Sequence, residues 1–241
     1  MNIIAIGGGS VAEGATESID RELLKLTGKS NPRMLFIPTA SMDSEEYCVG
    51  FTKAYEGLGA EVELLLLHSG DDPAKIDRAD AIYVGGGNTK MMLEVWRNAG
   101  VDERLRKHLE RGKPAGGLSA GALCWFRVGN SDWPKYEGIP GVNTDRLDCL
   151  GFVDLVLCPH CRDEGFRLDE FREMMRSEDG VGVGLDDCAA IQIRDESFRI
   201  LASQPGAVAH VISWDNGELH EEAITPGEYQ PLSSLTGRIT P

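Results

Sequence analysis

Basic residues are scarce in this 241-residue chain: 24 lysines and arginines stand against 39 aspartates and glutamates, so the formal net charge is −15. Binding to a nucleic-acid backbone or to an anionic membrane depends on clustered positive charge, and the composition argues against both as partners. The 41% of hydrophobic residues form no run long enough for a transmembrane helix. A negatively charged substrate would need a local basic pocket within an acidic surface.

We expect no secretory signal. Segment 1–6, with the sequence MNIIAI, is too short and too uncharged for a signal peptide and instead predicts a first strand. We therefore expect a cytoplasmic protein whose six cysteines, at positions 48, 124, 149, 158, 161 and 188, are reduced. No second C-x-x-C and no H-x-x-x-H accompanies Cys158 and Cys161, which argues against zinc, and the sequence implies no metal or organic cofactor.

Strands and helices alternate through the first half of the chain. Apolar runs ending in small residues predict strands at 3–6, 34–38, 62–67 and 81–84, and amphipathic spacing predicts helices at 17–26, 44–57, 91–98 and 102–111. This alternation is typical of an α/β fold, in which helices cover both faces of a mostly parallel, doubly wound sheet as three layers. We expect a single domain that spans residues 1–241.

The pattern loosens after residue 122. Segment 123–126 predicts a continuing apolar helix, and the polar, Gly- and Pro-containing segment 127–148 predicts an excursion over the carboxyl edge of the sheet. Short strands, partly antiparallel, and one helix are expected further on. The strands are placed at 153–157, 182–185, 189–193, 199–201 and 208–212, the helix at 168–175, and a turn-rich tail from residue 227.

One stretch, AGGLSAGA at 115–122, contains the pattern G-x-S-x-G around Ser119. In a nucleophile elbow this pattern forms a sharp turn between a strand and a helix, and the turn presents the serine hydroxyl above the sheet. Backbone N–H groups at the start of the following helix face a developing oxyanion. The pattern alone is equally compatible with an ordinary glycine-rich turn, but its position after a predicted strand favours the elbow.

A nucleophilic serine needs a base and an acid that orients the base. His160 is the only histidine that follows a strand predicted in the core, whereas His68 precedes an exposed loop; the others, at 108, 210 and 220, fall in a helix, a late strand and a polar tail. Asp187 follows a predicted strand, Asp132 lies in the loop after the elbow, and Glu164 is a weaker candidate. The residues alone leave the choice of acid open.

Glycines at 85–87 follow another predicted strand and could supply a second oxyanion donor. Two other motifs suggest different chemistry. Segment 7–12 matches G-x-G-x-x-A of dinucleotide-binding proteins, but Thr39–Ser41 stands where that fold needs an acid. Cys158-Pro-His-Cys161 matches a thiol–disulfide oxidoreductase motif, although such domains carry it after their first core strand.

Three segments in this order carry a family resemblance: VGGGNT at 84–89, GLSAGA at 117–122 and Cys158-Pro-His at 158–160. Together they resemble the alpha-aspartyl dipeptidase (peptidase E) family of serine peptidases, over roughly residues 1–215. The resemblance implies a fold like that of class I glutamine amidotransferases (flavodoxin-like), with serine in place of the cysteine nucleophile. It further implies hydrolysis of dipeptides that begin with aspartate, through an acyl-enzyme.

The resemblance also implies roles for individual residues. Ser119 is the nucleophile and His160 the base, with Gly87 and Ala120 as oxyanion donors. For the acid, the dipeptidase pattern points to Asp132 and the cyanophycinase-like pattern to Asp187; we favour Asp187 slightly, because the end of a strand is more rigid than a loop.

The expected substrate carboxylate needs a cation. Arg167 stands where the dipeptidases carry a substrate-binding arginine, and Arg162 and Arg127 are further candidates. The partner we expect is a small peptide, and a homodimer stays open. The alternatives are a cyanophycinase-like or other amide hydrolase, an oxidoreductase using Cys158 and Cys161, and a binding protein without catalytic activity.

Overall fold

The computed structural model describes residues 1–162 and 164–236. The strands are β1 (Asn2–Ile6), β2 (Arg33–Ile37), β3 (Glu61–Leu64), β4 (Ala81–Val84), β5 (Ala115–Leu118), β6 (Phe126–Ser131), β7 (Asp145–Asp148), β8 (Val153–Cys158), β9 (Gly182–Leu185), β10 (Ala189–Arg194), β11 (Ser197–Ala202), β12 (Ala209–Asp215), β13 (Glu218–Ile224) and β14 (Gln230–Pro231). The helices are α1 (Glu17–Lys25), α2 (Glu45–Gly57), α3 (Lys75–Arg78), α4 (Thr89–Ala99), α5 (Val101–Glu110), α6 (Ala120–Leu123), α7 (Trp133–Tyr136), α8 (Arg167–Met174) and α9 (Ser233–Thr236).

The first sheet has the order β14-β11-β10-β1-β5-β4-β2-β3. Strands β1, β5, β4, β2 and β3 run parallel to one another, whereas β10, β11 and β14 are added to β1 through antiparallel pairs. The sheet therefore combines a parallel, doubly wound part from the first half of the chain with an antiparallel extension. The α/β class expected from the sequence is confirmed.

A second sheet, in the order β13-β12-β9-β8-β6-β7, was not predicted. Its centre is parallel, β6 to β8 to β9, and its edges are antiparallel. The predicted excursion at 127–148 is wrong, because this segment contains most of β6 together with α7 and β7. The predicted helix at 123–126 is also wrong, since α6 ends at Leu123 and β6 begins at Phe126.

Alternate residues of β1 show how the layers form. Ile3 and Ala5 belong to the core cluster shared with α4, α5 and the second sheet, whereas Ile4 and Ile6 pack with α1 and α2. Both faces of the first sheet are thus covered, as its continuous apolar strands require. A third apolar cluster lies between the second sheet and α8. The last five residues, which the sequence assigns to the turn-rich tail, lie outside the described part of the chain.

Candidate active site

The two sheets meet where four strands end. Strands β1 and β5 of the first sheet and β8 and β9 of the second bring their carboxyl ends together, at the edge where parallel sheets bind ligands. The backbone after β1 links them: Ser119 N–H donates to the Ile6 carbonyl at 3.0 Å, and His160 N–H donates to the Gly7 carbonyl at 3.3 Å. The Cys188 N–H donates to the Gly8 carbonyl at 3.0 Å. Residues after four different strands are therefore fixed relative to one another.

Ser119 occupies a strained turn between β5 and α6. Its φ and ψ angles are 54° and −113°, and a positive φ is uncommon for a residue with a side chain. The turn can close tightly because Gly121 has no side chain; a Cβ there would overlap the Val84 carbonyl of the neighbouring strand. Local strain thus holds the serine in the geometry that defines a nucleophile elbow.

Ser119, His160 and Asp187 form one line of hydrogen bonds. The Ser119 Oγ lies 3.0 Å from the His160 Nε2, and the His160 Nδ1 lies 2.8 Å from the Asp187 Oδ1. The Asp187 carboxylate only accepts, so Nδ1 carries the proton and Nε2 is free to accept from the serine hydroxyl. The His160 and Asp187 side chains are 24% and 14% exposed, so the line is shielded but open to a substrate.

Gly8 leaves room for the contact between His160 and Asp187, which the sequence pattern does not indicate. A Cβ on this residue would overlap the Asp187 Oδ1 and lie only 2.5 Å from the His160 Nδ1. A side chain at residue 8 would therefore displace either the histidine or the aspartate. The signal in the sequence is the glycine-rich turn after β1, which matches a dinucleotide fingerprint but serves here to leave space.

The Gly85–Gly87 turn lies beside the serine. A Cβ on Gly86 would be 3.4 Å from the Ser119 Cβ, and Gly87 has a φ of 135°. Neither the Gly87 N–H nor the Ala120 N–H donates a hydrogen bond to another residue in the part of the chain that the structure describes. Both amides are thus available to a ligand. The Gly86 N–H donates to the Tyr47 hydroxyl at 3.2 Å, a support that the sequence did not reveal.

Asp132 is at the N-terminal end of α7, whereas the two His160 ring nitrogens contact Asp187 and Ser119. Together with Glu164 and Arg167 it lines a cavity of about 490 Å³. The Arg167 guanidinium is almost completely buried and pairs with the Glu164 carboxylate, which its Nη2 approaches to 2.5 Å. Its Nη1 has no hydrogen-bond partner among the described residues. The acid within reach of His160 is accordingly Asp187, whereas Asp132 belongs to the wall of this cavity.

The remaining charged residues near the site either pair with neighbouring side chains or are exposed to solvent. Arg127 pairs with Asp154 of β8 and with Glu178, which lies between α8 and β9, and Arg162 is exposed. Asp186, the residue before Asp187, is buried and accepts from the Val208 N–H at 3.1 Å, with the His210 Nε2 at 3.2 Å. These contacts indicate structural roles.

The match to a family model decides the relationship of this chain to known proteins. The model of peptidase family S51 matches residues 3–201, which include all the residues of the hydrogen-bonded line. The chain belongs to peptidase family S51.

Similar proteins agree with this assignment. The uncharacterized peptidase YgaJ of Bacillus subtilis (strain 168) is 34% identical over 225 residues, which cover 91% of this chain and 95% of YgaJ. Peptidase E of Streptomyces coelicolor is 29% identical over 176 residues, covering 68% of this chain and 69% of that protein. A crystal structure of a peptidase from an acI-B1 actinobacterium has the same fold, with a TM-score of 0.75 at 17% identity over 95% and 96% of the two chains. The protein is thus a peptidase of the peptidase E type.

The cysteines of this S51 peptidase do not resemble a redox pair. Cys158 and Cys161 are both buried and both unpaired. Burial raises the pKa of the Cys158 thiol well above its ordinary value, which disfavours the reactive thiolate.

Over the described residues, no group of three or more metal-ligating side chains is found, and no helix is long and apolar enough to cross a membrane.

Proposed function

We propose that this S51 peptidase is a serine-type dipeptidase that removes aspartate from dipeptides of the form Asp-X. The observation that carries the proposal is the line of hydrogen bonds from Ser119 through His160 to Asp187. A serine activated by an oriented histidine is the arrangement that acyl transfer requires. The resemblance to the alpha-aspartyl dipeptidases supports the substrate class.

The reaction follows from the direction of the hydrogen bonds. His160 Nε2 takes the proton of Ser119 as Oγ attacks the carbonyl carbon of the aspartyl residue, and Asp187 stabilises the imidazolium that forms. When the tetrahedral intermediate collapses, the C–N bond breaks and His160 returns the proton to the leaving amine. Water, activated by the same histidine, then attacks the aspartyl ester and releases free aspartate.

The charge that develops on the substrate oxygen needs fixed donors. Gly87 and Ala120 are proposed for this role, since the turn at 85–87 lies beside Ser119 and both N–H groups are free of acceptors in the described structure. Ala120 is also the first residue of α6, where backbone N–H groups point out of the helix. Loss of one such donor costs about 10²-fold to 10³-fold in rate in serine peptidases.

Arg167 is proposed to bind the aspartyl side chain. Its Nη1 is a buried donor without a partner among the described residues, and the residue lines the cavity that also contains Asp132. Glu164 orients the guanidinium through Nε, at 2.7 Å, and through Nη2. A carboxylate entering the cavity would satisfy the remaining nitrogen. Because this contact is charge-assisted, we expect Arg167→Met to lower the preference for Asp-Ala over Asn-Ala about 10-fold to 100-fold.

The matched control for that variant is Arg172→Met, on the same helix but facing Asp169 and Glu221. The ratio of kcat/KM for Asp-Ala and Asn-Ala should be that of the wild type in this control. An unchanged ratio in Arg167→Met would reject the assignment of the arginine and leave the serine mechanism standing.

The serine mechanism itself is tested by release of free aspartate from Asp-Ala, with reductant present, by wild type and Ser119→Ala. We expect the variant to lose at least about 10³-fold in kcat. Ser177→Ala, a change at an exposed serine bonded only to its own helix end, should retain full activity. Full activity of Ser119→Ala would remove the mechanism. We also propose a cytoplasmic location, in keeping with the free thiols of Cys48, Cys124, Cys149, Cys158 and Cys161.

A further inference from the structure

The carboxylate of Asp187 is held by a single side-chain contact. Its Oδ1 lies 2.8 Å from the His160 Nδ1, whereas its buried Oδ2 has no hydrogen-bond partner among the described residues. An acid that orients the imidazole of a catalytic histidine must itself be fixed in position. For Asp187 that position depends on the backbone of segment 186–188, between β9 and β10, which we name the acid turn.

The acid turn is bound to the turn after β1, and the backbone before it is bound to the loop of the base. The Cys188 N–H donates to the Gly8 carbonyl at 3.0 Å. The carbonyl of Leu185, directly before the turn, accepts from the Cys161 N–H at 3.0 Å, and Cys161 follows His160 in the chain. Acid and base therefore depend on the same short stretch of backbone.

Asp186 binds the acid turn to the second sheet as well. Its N–H donates to the Val208 carbonyl at 3.2 Å, and its Oδ2 accepts from the Val208 N–H at 3.1 Å. Its Oδ1 lies 3.2 Å from the Nε2 of His210 on β12, and because a carboxylate only accepts, Nε2 is the donor. The Asp186 side chain is 4% exposed, so its charge depends on these two donors.

The imidazole of His210 is held in turn by Glu221 of β13. The His210 Nδ1 lies 3.5 Å from the Glu221 Oε1. Glu221 accepts two hydrogen bonds from Arg172 of α8, from Nε at 2.7 Å and from Nη2 at 2.9 Å. These hydrogen bonds lower the pKa of Glu221, so its carboxylate is ionised at neutral pH. The ring of His210 thus lies between two carboxylates, one of which belongs to the acid turn.

We propose that His210 is a positioning residue for the catalytic acid: its contact with the Asp186 carboxylate fixes the acid turn and thereby the orientation of Asp187 towards His160. The inference rests on the proposed function and goes beyond it, because it gives a histidine outside the hydrogen-bonded line a part in catalysis. Without the His210 donor, the buried Asp186 carboxylate loses a partner, and the backbone one residue from Asp187 shifts as Asp186 finds another.

The test compares His210→Leu, which removes the donor, with His210→Gln, whose side-chain amide places an N–H near the position of Nε2. On Asp-Ala we expect His210→Leu to lower kcat about 10-fold to 100-fold at constant KM, because the base is misaligned while the substrate contacts are kept. His210→Gln should restore most of kcat. His220→Leu, at an exposed histidine of β13, is the matched control and should have wild-type kinetics.

A wild-type kcat in His210→Leu, or an equal loss in His210→Gln, overturns the inference. Should His210→Leu fail to fold, His210→Asn takes its place, since its amide is too short to reach Asp186 and the same loss is expected. A double-mutant cycle then tests the route of the effect. Because His210→Leu and Asp186→Ala break the same contact, the double variant should be no slower than Asp186→Ala alone, and losses that multiply contradict the proposal.

Labelling of Ser119 by a fluorophosphonate measures activation of the serine without any peptide. We expect His210→Leu to be labelled about 10-fold more slowly than the wild type, and His210→Gln at close to the wild-type rate. Equal rates in His210→Leu and the wild type refute this inference alone and leave the proposed function intact. A wild-type protein that is labelled but releases no aspartate from Asp-Ala refutes the proposed substrate, while the labelling rates still decide the role of His210.

Discussion

At the scale of single residues, the choice between two aspartates decides how His160 is oriented. Asp187 lies 2.8 Å from the His160 Nδ1, and Gly8 leaves the space that this contact needs. Asp132 lies instead at the start of α7 and lines the neighbouring cavity. Only Asp187 can fix the tautomer in which Nε2 accepts the serine proton.

We predict that Asp187→Asn lowers kcat by about 10³-fold to 10⁴-fold, because an amide no longer stabilises the imidazolium and favours the wrong tautomer. The matched variant, Asp132→Asn, should lose far less. Steady-state kinetics on Asp-Ala for the two proteins, side by side, distinguish the candidates. A larger loss in Asp132→Asn would assign the acid to α7 and contradict the geometry.

The sequence could not decide between these aspartates. Asp187 follows a predicted strand and Asp132 lies in the loop after the elbow, and the distance of each from His160 depends on the second sheet, which the sequence did not predict. Ser119 and His160 were easier to find, since one lies in a G-x-S-x-G pattern and the other follows a buried strand. Gly8 and Tyr47 act through contacts with residues more than 35 positions away in the chain, so no local pattern reveals them.

At the scale of elements, the prediction succeeded where apolar periodicity was strong. Strands β4 and β9 have the bounds that the sequence predicts, and both are completely buried. Strand β6 was missed because its buried positions include Gly129, Asn130 and Ser131, which do not form an apolar run. Strand β13 was missed because all its residues before Ile224 are exposed. Periodicity detects burial of apolar side chains and misses strands stabilised by pairing alone.

The turn between β4 and α4 is supported by helix α2 through a single side chain. Tyr47 accepts from the Gly86 N–H and packs edge-on against Phe36, with the ring centres 5.1 Å apart. Burial raises the pKa of Tyr47 to about 12, so the hydroxyl stays neutral at physiological pH. We regard Tyr47 as a positioning residue for the oxyanion turn.

Tyr47→Phe is therefore expected to lower kcat about fivefold to tenfold, the equivalent of one neutral hydrogen bond, with little change in KM or in stability. The packing against Phe36 is kept, since only the hydroxyl is removed. Tyr229→Phe, at a ring that stacks on Arg199 instead, serves as the control. A rise in KM at constant kcat would show that Tyr47 binds substrate rather than positioning the turn.

At the scale of the whole molecule, two buried titratable groups oppose each other in the pH dependence of stability. Burial raises the pKa of Asp20 to about 6, although Thr16 and Tyr55 donate hydrogen bonds to its carboxyl group. Burial lowers the pKa of His108 to about 4. The stabilising contribution of Asp20 is therefore lost as pH rises from the pKa of the unfolded chain, 3.8, through 6. The stabilising contribution of His108 is lost as pH falls from 6.5 through 4.

We predict that Asp20→Asn gains stability relative to the wild type as pH rises from 4 to 7, by roughly 2 kcal/mol, most of the effect of a pKa shift of about two units. Urea unfolding at several pH values measures the difference between the two proteins, in which the contribution of His108 cancels. The exposed variant Glu46→Gln should show no such trend. A difference independent of pH would show that Asp20 is ionised in the folded protein throughout this range.

The central claim, that His160 activates Ser119 as the nucleophile, is tested most directly by covalent labelling. A fluorophosphonate forms a bond between phosphorus and the activated serine oxygen and releases fluoride, and mass spectrometry then locates the adduct. We predict one adduct, on Ser119, with none on Ser119→Ala and much slower labelling of His160→Gln. An unlabelled Ser119 in the wild type, or equal labelling rates in His160→Gln, would contradict the account.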